Sequence, residues 1–245
     1  MLRTYRSVLI AITVVMLAIH WALPVLMPLD DVLLYAVGPH VNWIIVVTLL
    51  IAVVCLGLIV APTLDRKKTL LILLGVLLDQ GIGELVYRLD LPLYLDTIGC
   101  ILVGALLGPA AGAFTASVSC SLWIIIAPSG LPFSLASIVT GWFAGLVAKL
   151  DGFSNWLTTV VSGVIAGLAV GILSAPLTYI LLNSPLDREE FDLFCVLEAA
   201  GDYFTQPFTF WRLIADPIDK ILIFLLVFWV APLIAKRYWP DQSRA

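Results

Sequence analysis

Apolar runs close to the length of a membrane-spanning helix recur along this chain. A helix needs about 20 mostly apolar residues to cross the hydrocarbon core of a bilayer. Of the 245 residues, 62% are hydrophobic and only 12% are charged, which is too little polar surface for a water-soluble globule. The sequence therefore predicts an all-α polytopic membrane protein with about eight transmembrane helices.

Polar turns, glycines and prolines separate the apolar runs. Arg3 and Arg6 in front of the first run also fit a signal peptide, but no small-x-small cleavage site is evident, and an uncleaved helix is preferred. The helices are expected at about residues 8–27, 42–62, 69–87, 97–107, 110–127, 134–149, 156–182 and 217–235.

The basic residues predict the orientation of these helices, because cytoplasmic loops are enriched in Lys and Arg. A cytoplasmic N-terminus puts eight of them on the inside: Arg3, Arg6, Arg66, Lys67, Lys68, Lys149, Lys236 and Arg237. We therefore expect a multi-pass protein of the cell (plasma or inner) membrane with both termini in the cytoplasm. The turn at 88–96 and the loop at 183–211 then face outward.

Glycines spaced four residues apart predict close helix packing. This spacing stacks small residues on one helix face and lets two backbones approach. A compact bundle is expected, and docking of another membrane subunit on one of these faces is the alternative. The glycines concerned are Gly104, Gly108, Gly112, Gly141, Gly145, Gly163, Gly167 and Gly171.

Asp79, Gln80 and Glu84 place polar groups inside the third predicted helix. An ionisable group in hydrocarbon is costly unless it faces a partner or a cavity. In one interpretation Asp79 is satisfied within the bundle by a hydroxyl, a water or a cation, or is protonated. In the functional interpretation Glu84, with Arg88 one turn further on, lines an outward-facing ligand cavity.

Asp96 precedes Thr97 at the start of the fourth predicted helix. Its carboxylate is well placed to accept the free amide hydrogens of the first turn as an N-cap. A helix start near the outer surface also directs backbone donors towards a ligand. Capping and ligand contact are both retained as interpretations.

The last predicted helix opens with Asp216, Pro217, Asp219 and Lys220. Asp216 is interpreted as the N-cap, Pro217 as the first helical residue and Asp219 as a first-turn acid. Capping does not explain Lys220. Either it extends outward or pairs with Asp216, or it projects inward to a ligand carboxylate, to Glu84 or to Asp96.

One segment of the chain resembles a known family. It is Pro92-Leu93-Tyr94-Leu95-Asp96-Thr97-Ile98-Gly99, followed by Gly108-Pro109 and Gly112. Together with Asp219-Lys220 it resembles the substrate-binding S components of energy-coupling factor vitamin transporters. The resemblance covers about residues 69–235 and implies a six-helix core within residues 66–245, preceded by two extra helices within residues 1–65. It also implies capture of a vitamin or precursor at the outer face, and docking on a membrane scaffold subunit that carries two ATPases.

The resemblance and the polar residues together define the candidate substrate site. By position, the site involves the loop at 88–96, the outer helix ends and the loop at 202–212 as a lid. The candidate residues are Glu84, Arg88, Tyr94, Asp96, Thr97, Phe133, Ser137, Tyr179, Asp202, Arg212, Asp219 and Lys220.

Two features depart from that family. The two N-terminal helices are additional, and the third helix lacks the Ala-x-x-x-Ala face commonly used towards the scaffold. Gly75 and Asp79 stand four residues apart there instead.

Catalytic motifs do not occur in the sequence. It has no Gly-x-x-x-x-Gly-Lys-Ser/Thr phosphate loop, no His-Glu-x-x-His and no Gly-x-Ser-x-Gly. His20, His40 and the four cysteines are interpreted as core, interfacial or packing residues, without a metal site or a cofactor. The partners expected are a small nutrient, the lipid bilayer and the transporter subunits, with no nucleic acid.

The sequence thus favours a binding and translocating subunit rather than an enzyme. The alternative is a membrane sensor or assembly module that uses the same bundle without transport. A secondary transporter driven by ions through Asp79 is less favoured, because no repeated half is evident.

Overall fold

The computed structural model describes residues 2–26, 41–89, 93–126, 128–183 and 207–238. The regular secondary structure of these ranges is helical. Short 3₁₀ segments cover Ala61–Thr63 and Pro128–Phe133. The α-helices are α1 (Leu2–Leu26), α2 (Val41–Val60), α3 (Arg66–Arg88), α4 (Ile98–Leu107), α5 (Pro109–Ile126), α6 (Ser134–Lys149), α7 (Trp156–Asn183) and α8 (Pro207–Tyr238).

Six helical segments among the described residues are long and apolar enough to cross a membrane. They confirm an all-α, multi-pass membrane protein. Helix α4, with ten residues, is apolar but short, so the count of eight transmembrane helices stays a prediction. The six segments are Thr4–Leu26, Trp43–Thr63, Arg66–Val86, Gly130–Lys149, Trp156–Leu177 and Ala215–Arg237.

Close backbone contacts occur where the four-residue glycine spacing predicted them. A Cβ atom on Gly112 would overlap the Gly141 carbonyl of α6, and one on Gly145 would overlap Pro109. A Cβ on Gly167 would similarly overlap Pro217, where α7 packs against α8. Because glycine has no side chain, the backbones of the two helices can come into direct contact at these positions.

The two N-terminal helices share the hydrophobic core of the bundle. Leu17 of α1 and Leu49 of α2 are buried in the same cluster as Ile101 of α4 and Phe224 of α8. Trp21 strengthens this attachment, since its Nε1 donates a hydrogen bond to the Leu173 carbonyl oxygen of α7 at 2.8 Å. Helices α1 and α2 are therefore integral to the bundle.

The predicted start of the last helix is wrong. Helix α8 begins at Pro207, so Pro217 lies inside it and Asp216 does not cap it. Residues 207–214 continue the apolar pattern. A proline inside a membrane helix is tolerated because neighbouring helices and side chains can satisfy the freed backbone groups.

Candidate functional site

The start of α4 is held by a side chain of α3. Asp79 is 1% exposed, and its Oδ1 accepts hydrogen bonds from the amides of Gly99 at 2.7 Å and Cys100 at 3.3 Å. Its Oδ2 accepts a hydrogen bond from the Ser119 hydroxyl of α5 at 2.9 Å. Asp79 thus satisfies first-turn donors that have no intrahelical partner.

The interpretation of Asp96 as the N-cap of α4 is therefore wrong. Thr97 occupies the N-cap position without a capping hydrogen bond from its side chain, and Asp79 accepts the amide hydrogens instead. The interpretation that Asp79 is satisfied inside the bundle by a hydroxyl is confirmed by Ser119. This arrangement leaves Asp96 beside the cavity described below.

Asp219 organises the loop in front of α4. Its Oδ1 accepts hydrogen bonds from the amides of Tyr94 at 3.1 Å and Leu95 at 2.9 Å. Leu95 has a φ of 49°, in the left-handed region that a side chain disfavours. The buried carboxylate therefore stabilises a strained turn that sets the direction of Tyr94, Asp96 and Thr97.

Lys220 projects into the bundle. Its Nζ donates a hydrogen bond to Asp219 Oδ2 at 2.6 Å and another to the Thr97 hydroxyl at 3.0 Å. Lys220 is 3% exposed and Asp219 is fully buried. The inward direction predicted for Lys220 is thereby confirmed, but its ion-pair partner is Asp219 and not Glu84 or Asp96, as that interpretation expected.

A cavity of about 380 Å³ opens beside this ion pair. Its wall is contributed by the loop before α4, the end of α5, the 3₁₀ segment at 128–133, the first half of α6, and α7 and α8. The lining residues are Tyr94, Asp96, Thr97, Cys120, Trp123, Gly130, Phe133, Ser134, Ala136, Ser137, Thr140, Val170, Ser174, Asp216 and Lys220.

The cavity wall combines aromatic faces with polar groups of several kinds. Trp123, Tyr94 and Phe133 supply aromatic surface, and serine and threonine residues supply hydroxyls. Two acidic residues, Asp96 and Asp216, and the basic Lys220 line the same space. Such a wall can bind a small molecule with a flat apolar part and several hydrogen-bonding groups.

The structure brings half of the predicted site residues to this cavity. Asp219 lies behind the wall, where it pairs with Lys220. Glu84 and Arg88 are not part of the wall; they form an ion pair of 2.7 Å on α3, with the Arg88 side chain 74% exposed. The predicted residues that line the cavity are Tyr94, Asp96, Thr97, Phe133, Ser137 and Lys220.

The side chains of three predicted residues are outside what the structure describes. Asp202 belongs to the undescribed range 184–206, as do the first five residues of the lid predicted at 202–212. The other six, 207–212, form the start of α8 rather than a loop. Tyr179 and Arg212 belong to α7 and α8, but their side chains are not described. Their contribution to the site stays a prediction.

Sequence reasoning missed nine of the fifteen lining residues, among them Ser134, Thr140 and Ser174 in apolar helices, whereas Ser137 was predicted. Ser134, Ser137 and Thr140 follow one another at intervals of three along α6 and line the same cavity. This spacing repeats one helix face, so it was an available signal of a polar surface. Trp123, Cys120 and Ser174 carry no comparable signal in the sequence.

His20 of α1 links the N-terminal helices to the 3₁₀ segment that borders the cavity. The ring is fully buried, with Nε2 2.9 Å from the Leu131 carbonyl oxygen and Nδ1 3.0 Å from the Ile45 carbonyl oxygen. Gly130 and Phe133, on either side of Leu131, line the cavity. His20 is therefore the core residue that was expected, whereas His40 lies outside the described residues.

No group of three or more His, Cys, Asp and Glu side chains in the described ranges is arranged to hold a metal ion. Comparisons with protein families, with curated proteins and with solved structures find no match to this chain.

Proposed function

We propose that this chain is a membrane-embedded substrate-binding subunit that captures a small nutrient, a vitamin or a precursor, for import by partner subunits. The observation that carries the proposal is the 380 Å³ cavity beside the buried Lys220 ion pair. Small-molecule sites are typically concave spaces of roughly 300–1,000 Å³ with apolar walls and a few placed polar groups. The cavity has this size and character.

Charge and shape suggest the class of ligand. Asp96 and Asp216 line the wall together with Lys220, and Asp219 lies behind it, so three acidic residues surround one lysine. The acidic excess favours a ligand with hydrogen-bond donors or a basic nitrogen. Trp123 and Phe133 favour a flat ring, so a small heterocycle fits the wall best.

The positions of the basic residues support an outward opening. Arg6, Arg66 and Lys149 lie at the ends of α1, α3 and α6 that are opposite the cavity. If Lys and Arg face the cytoplasm, the cavity faces outward and both termini lie in the cytoplasm of a cell (plasma or inner) membrane. A reporter that is active only in the cytoplasm should work at residue 2 and at residue 245 but fail at residue 190; the opposite pattern would contradict this orientation.

Import against a gradient requires an energy source that the sequence motifs of this chain do not supply. A scaffold subunit and two ATPases are the proposed partners. The exposed leucines of α3, Leu70, Leu73 and Leu77, offer an apolar face for lipid or for such a scaffold. Affinity purification after mild crosslinking should recover ATPase subunits.

A sensor or assembly module is the second candidate. The contacts of His20 and Trp21 favour it, because they attach two additional helices to the cavity border and to α7. Association with a kinase or an envelope complex, without ATPase subunits and without uptake, would support this candidate instead.

Mass spectrometry of small molecules that co-purify with the full chain tests the binding function directly. We expect one compound to be retained by the wild type and lost in Asp96→Asn and in Trp123→Ala. Asp151→Asn, which changes an exposed acid outside the cavity wall, is the matched control and should retain it. Failure of the wild type to bind any member of a panel of vitamins and precursors would overturn the proposal.

A further inference from the structure

A second cavity, of about 480 Å³, lies between the two N-terminal helices and the rest of the bundle. Its wall is formed by α1 and α2 on one side and by the α4–α5 turn and α6 on the other. It shares no lining residue with the candidate substrate site. The two cavities are therefore separate.

Positive charge is concentrated at one end of this groove. Arg6 at the start of α1 and Lys149 at the end of α6 both line it, and both are exposed. The Cε atom of Lys149 stands 3.8 Å from the position that a Cβ on Gly108 would occupy, which places the lysine beside the α4–α5 turn. Among the described lining residues, none is acidic.

The groove becomes apolar away from these two cations. Along α1 the lining residues after Arg6 are Ile10, Thr13, Val14 and Leu17. The hydroxyl of Thr13 donates to the Leu9 carbonyl oxygen of its own helix, so it does not make this wall polar. At 1.5 Å per residue, the distance from Arg6 to Leu17 is about 16 Å along the helix. The groove is thus long, apolar and positively charged at one end.

We propose that this groove binds an anionic phospholipid of the surrounding bilayer. The phosphate ester would lie between Arg6 and Lys149, and one acyl chain would run along α1 towards Leu17. Basic sites between membrane helices bind anionic headgroups, and each buried methylene of a chain adds to the affinity. Charge complementarity favours an anionic over a zwitterionic lipid, and the apolar wall favours a lipid over a free phosphate.

This occupant would bridge the two N-terminal helices and the remaining bundle. The side chains of Ile10 and Val14 line the groove and are exposed there. A bound acyl chain would cover them. The inference does not depend on the proposed transport function, since the two cavities have separate walls.

Native mass spectrometry of the purified full chain, titrated with phosphatidylglycerol or with phosphatidylcholine of the same acyl composition, tests the proposal. We expect one phosphatidylglycerol to be retained in preference to phosphatidylcholine. The double variant Arg6→Gln/Lys149→Gln should bind it about thirtyfold more weakly, as expected for the loss of two cations near the headgroup. The matched control Lys236→Gln/Arg237→Gln removes two exposed cations that do not line the groove and should leave the affinity unchanged.

A second variant keeps the cations and blocks the chain. Val14→Trp enlarges a residue that is 60% exposed, so it should fill the groove without disturbing the core, and lipid retention should fall. Glycerol phosphate, which has no acyl chains, should not displace the lipid. The proposal would be overturned if the wild type retained the two lipids equally, or if the cation variant or Val14→Trp retained phosphatidylglycerol fully. Displacement of the lipid by glycerol phosphate would overturn it as well.

Discussion

His20 Nε2 lies 2.9 Å from the carbonyl oxygen of Leu131, within hydrogen-bonding distance. This contact joins the first helix to the 3₁₀ segment at the border of the candidate substrate cavity. Leu131 O also accepts a hydrogen bond from the Ser134 hydroxyl at 2.6 Å, so loss of the imidazole would not leave this carbonyl entirely unsatisfied. The contact therefore contributes to stability and also positions the cavity border.

Replacement of His20 by Phe should lower the stability by about 1–2 kcal/mol, because a buried hydrogen-bonding group is lost. The corresponding fall in the melting temperature in detergent is about 3–6 °C. Ligand affinity should fall as well, since Gly130 and Phe133 flank Leu131 in the cavity wall. Thr13→Val removes a buried hydrogen bond within α1 that does not reach the cavity wall, so it should lower stability without changing ligand affinity. Equal effects of the two variants on affinity would contradict this assignment.

Asp79→Ala should be more destabilising than Asp79→Asn. The alanine variant leaves the amides of Gly99 and Cys100 without their acceptor, at a cost of about 2 kcal/mol or more. The asparagine variant retains one acceptor oxygen. Thermal unfolding measures this order, and Ser119→Ala, which removes a single hydrogen bond to Asp79, should be milder than Asp79→Ala.

Asp79→Asn also distinguishes ATP-driven import from transport driven by ions through Asp79. If Asp79 acts only as a cap, folded protein carrying this variant should retain uptake that depends on ATP. Loss of uptake with unchanged folding would instead favour the ion-driven transporter.

The buried pair of Asp219 and Lys220 should show strong energetic coupling. Asp219→Ala alone leaves a buried ammonium without its carboxylate, which typically costs about 3–5 kcal/mol. The double variant Asp219→Ala/Lys220→Met avoids an isolated buried charge and should recover part of that loss. The exposed pair Glu84 and Arg88 provides the comparison, with a coupling of about 1 kcal/mol or less.

Gly99→Ala should prevent normal assembly of the bundle. A Cβ atom there would overlap the Gly75 carbonyl, and because both partners are helix backbone the overlap should cost more than about 3 kcal/mol. Gly81→Ala in α3 is the matched control, since nothing lies within 4 Å of the added Cβ. It should be neutral or stabilising by up to about 1 kcal/mol. Size-exclusion profiles and melting temperatures would measure the contrast.

Helix placement and close packing could be read from the sequence, because both depend on local composition. Apolar runs predict the helices, and glycines such as Gly141 and Gly145 predict the faces that approach another backbone. The start of α8 was misread because a proline after an aspartate is typical of a first turn, whereas Pro217 lies within a longer apolar helix.

Part of the candidate site was predicted, with Phe133 and Ser137 taken by position from the family resemblance and Lys220 from the residues themselves. Lys220 was singled out because capping does not account for it, and the structure places it in the cavity wall. Of the two interpretations kept for Asp96, the N-cap was wrong, because Asp79 accepts the amide hydrogens at the start of α4 and Asp96 lines the cavity. Spacing along the chain cannot show that a carboxylate 20 residues before Gly99 accepts its amide hydrogen. That contact depends on how α3 packs against α4.

The glycine contacts described for the fold have a mechanical consequence. The backbones of helices α4, α5 and α6 are in direct contact, and so are those of α7 and α8. The helices within each group therefore cannot slide past one another without steric overlap. The candidate substrate cavity has walls from both groups, with Ser137 and Thr140 on one and Ser174 and Lys220 on the other. A change in its volume therefore requires movement between the two groups, which the buried hydrogen bond from Lys220 to Thr97 joins. A crosslink from Ser137 to Ser174 would prevent that movement.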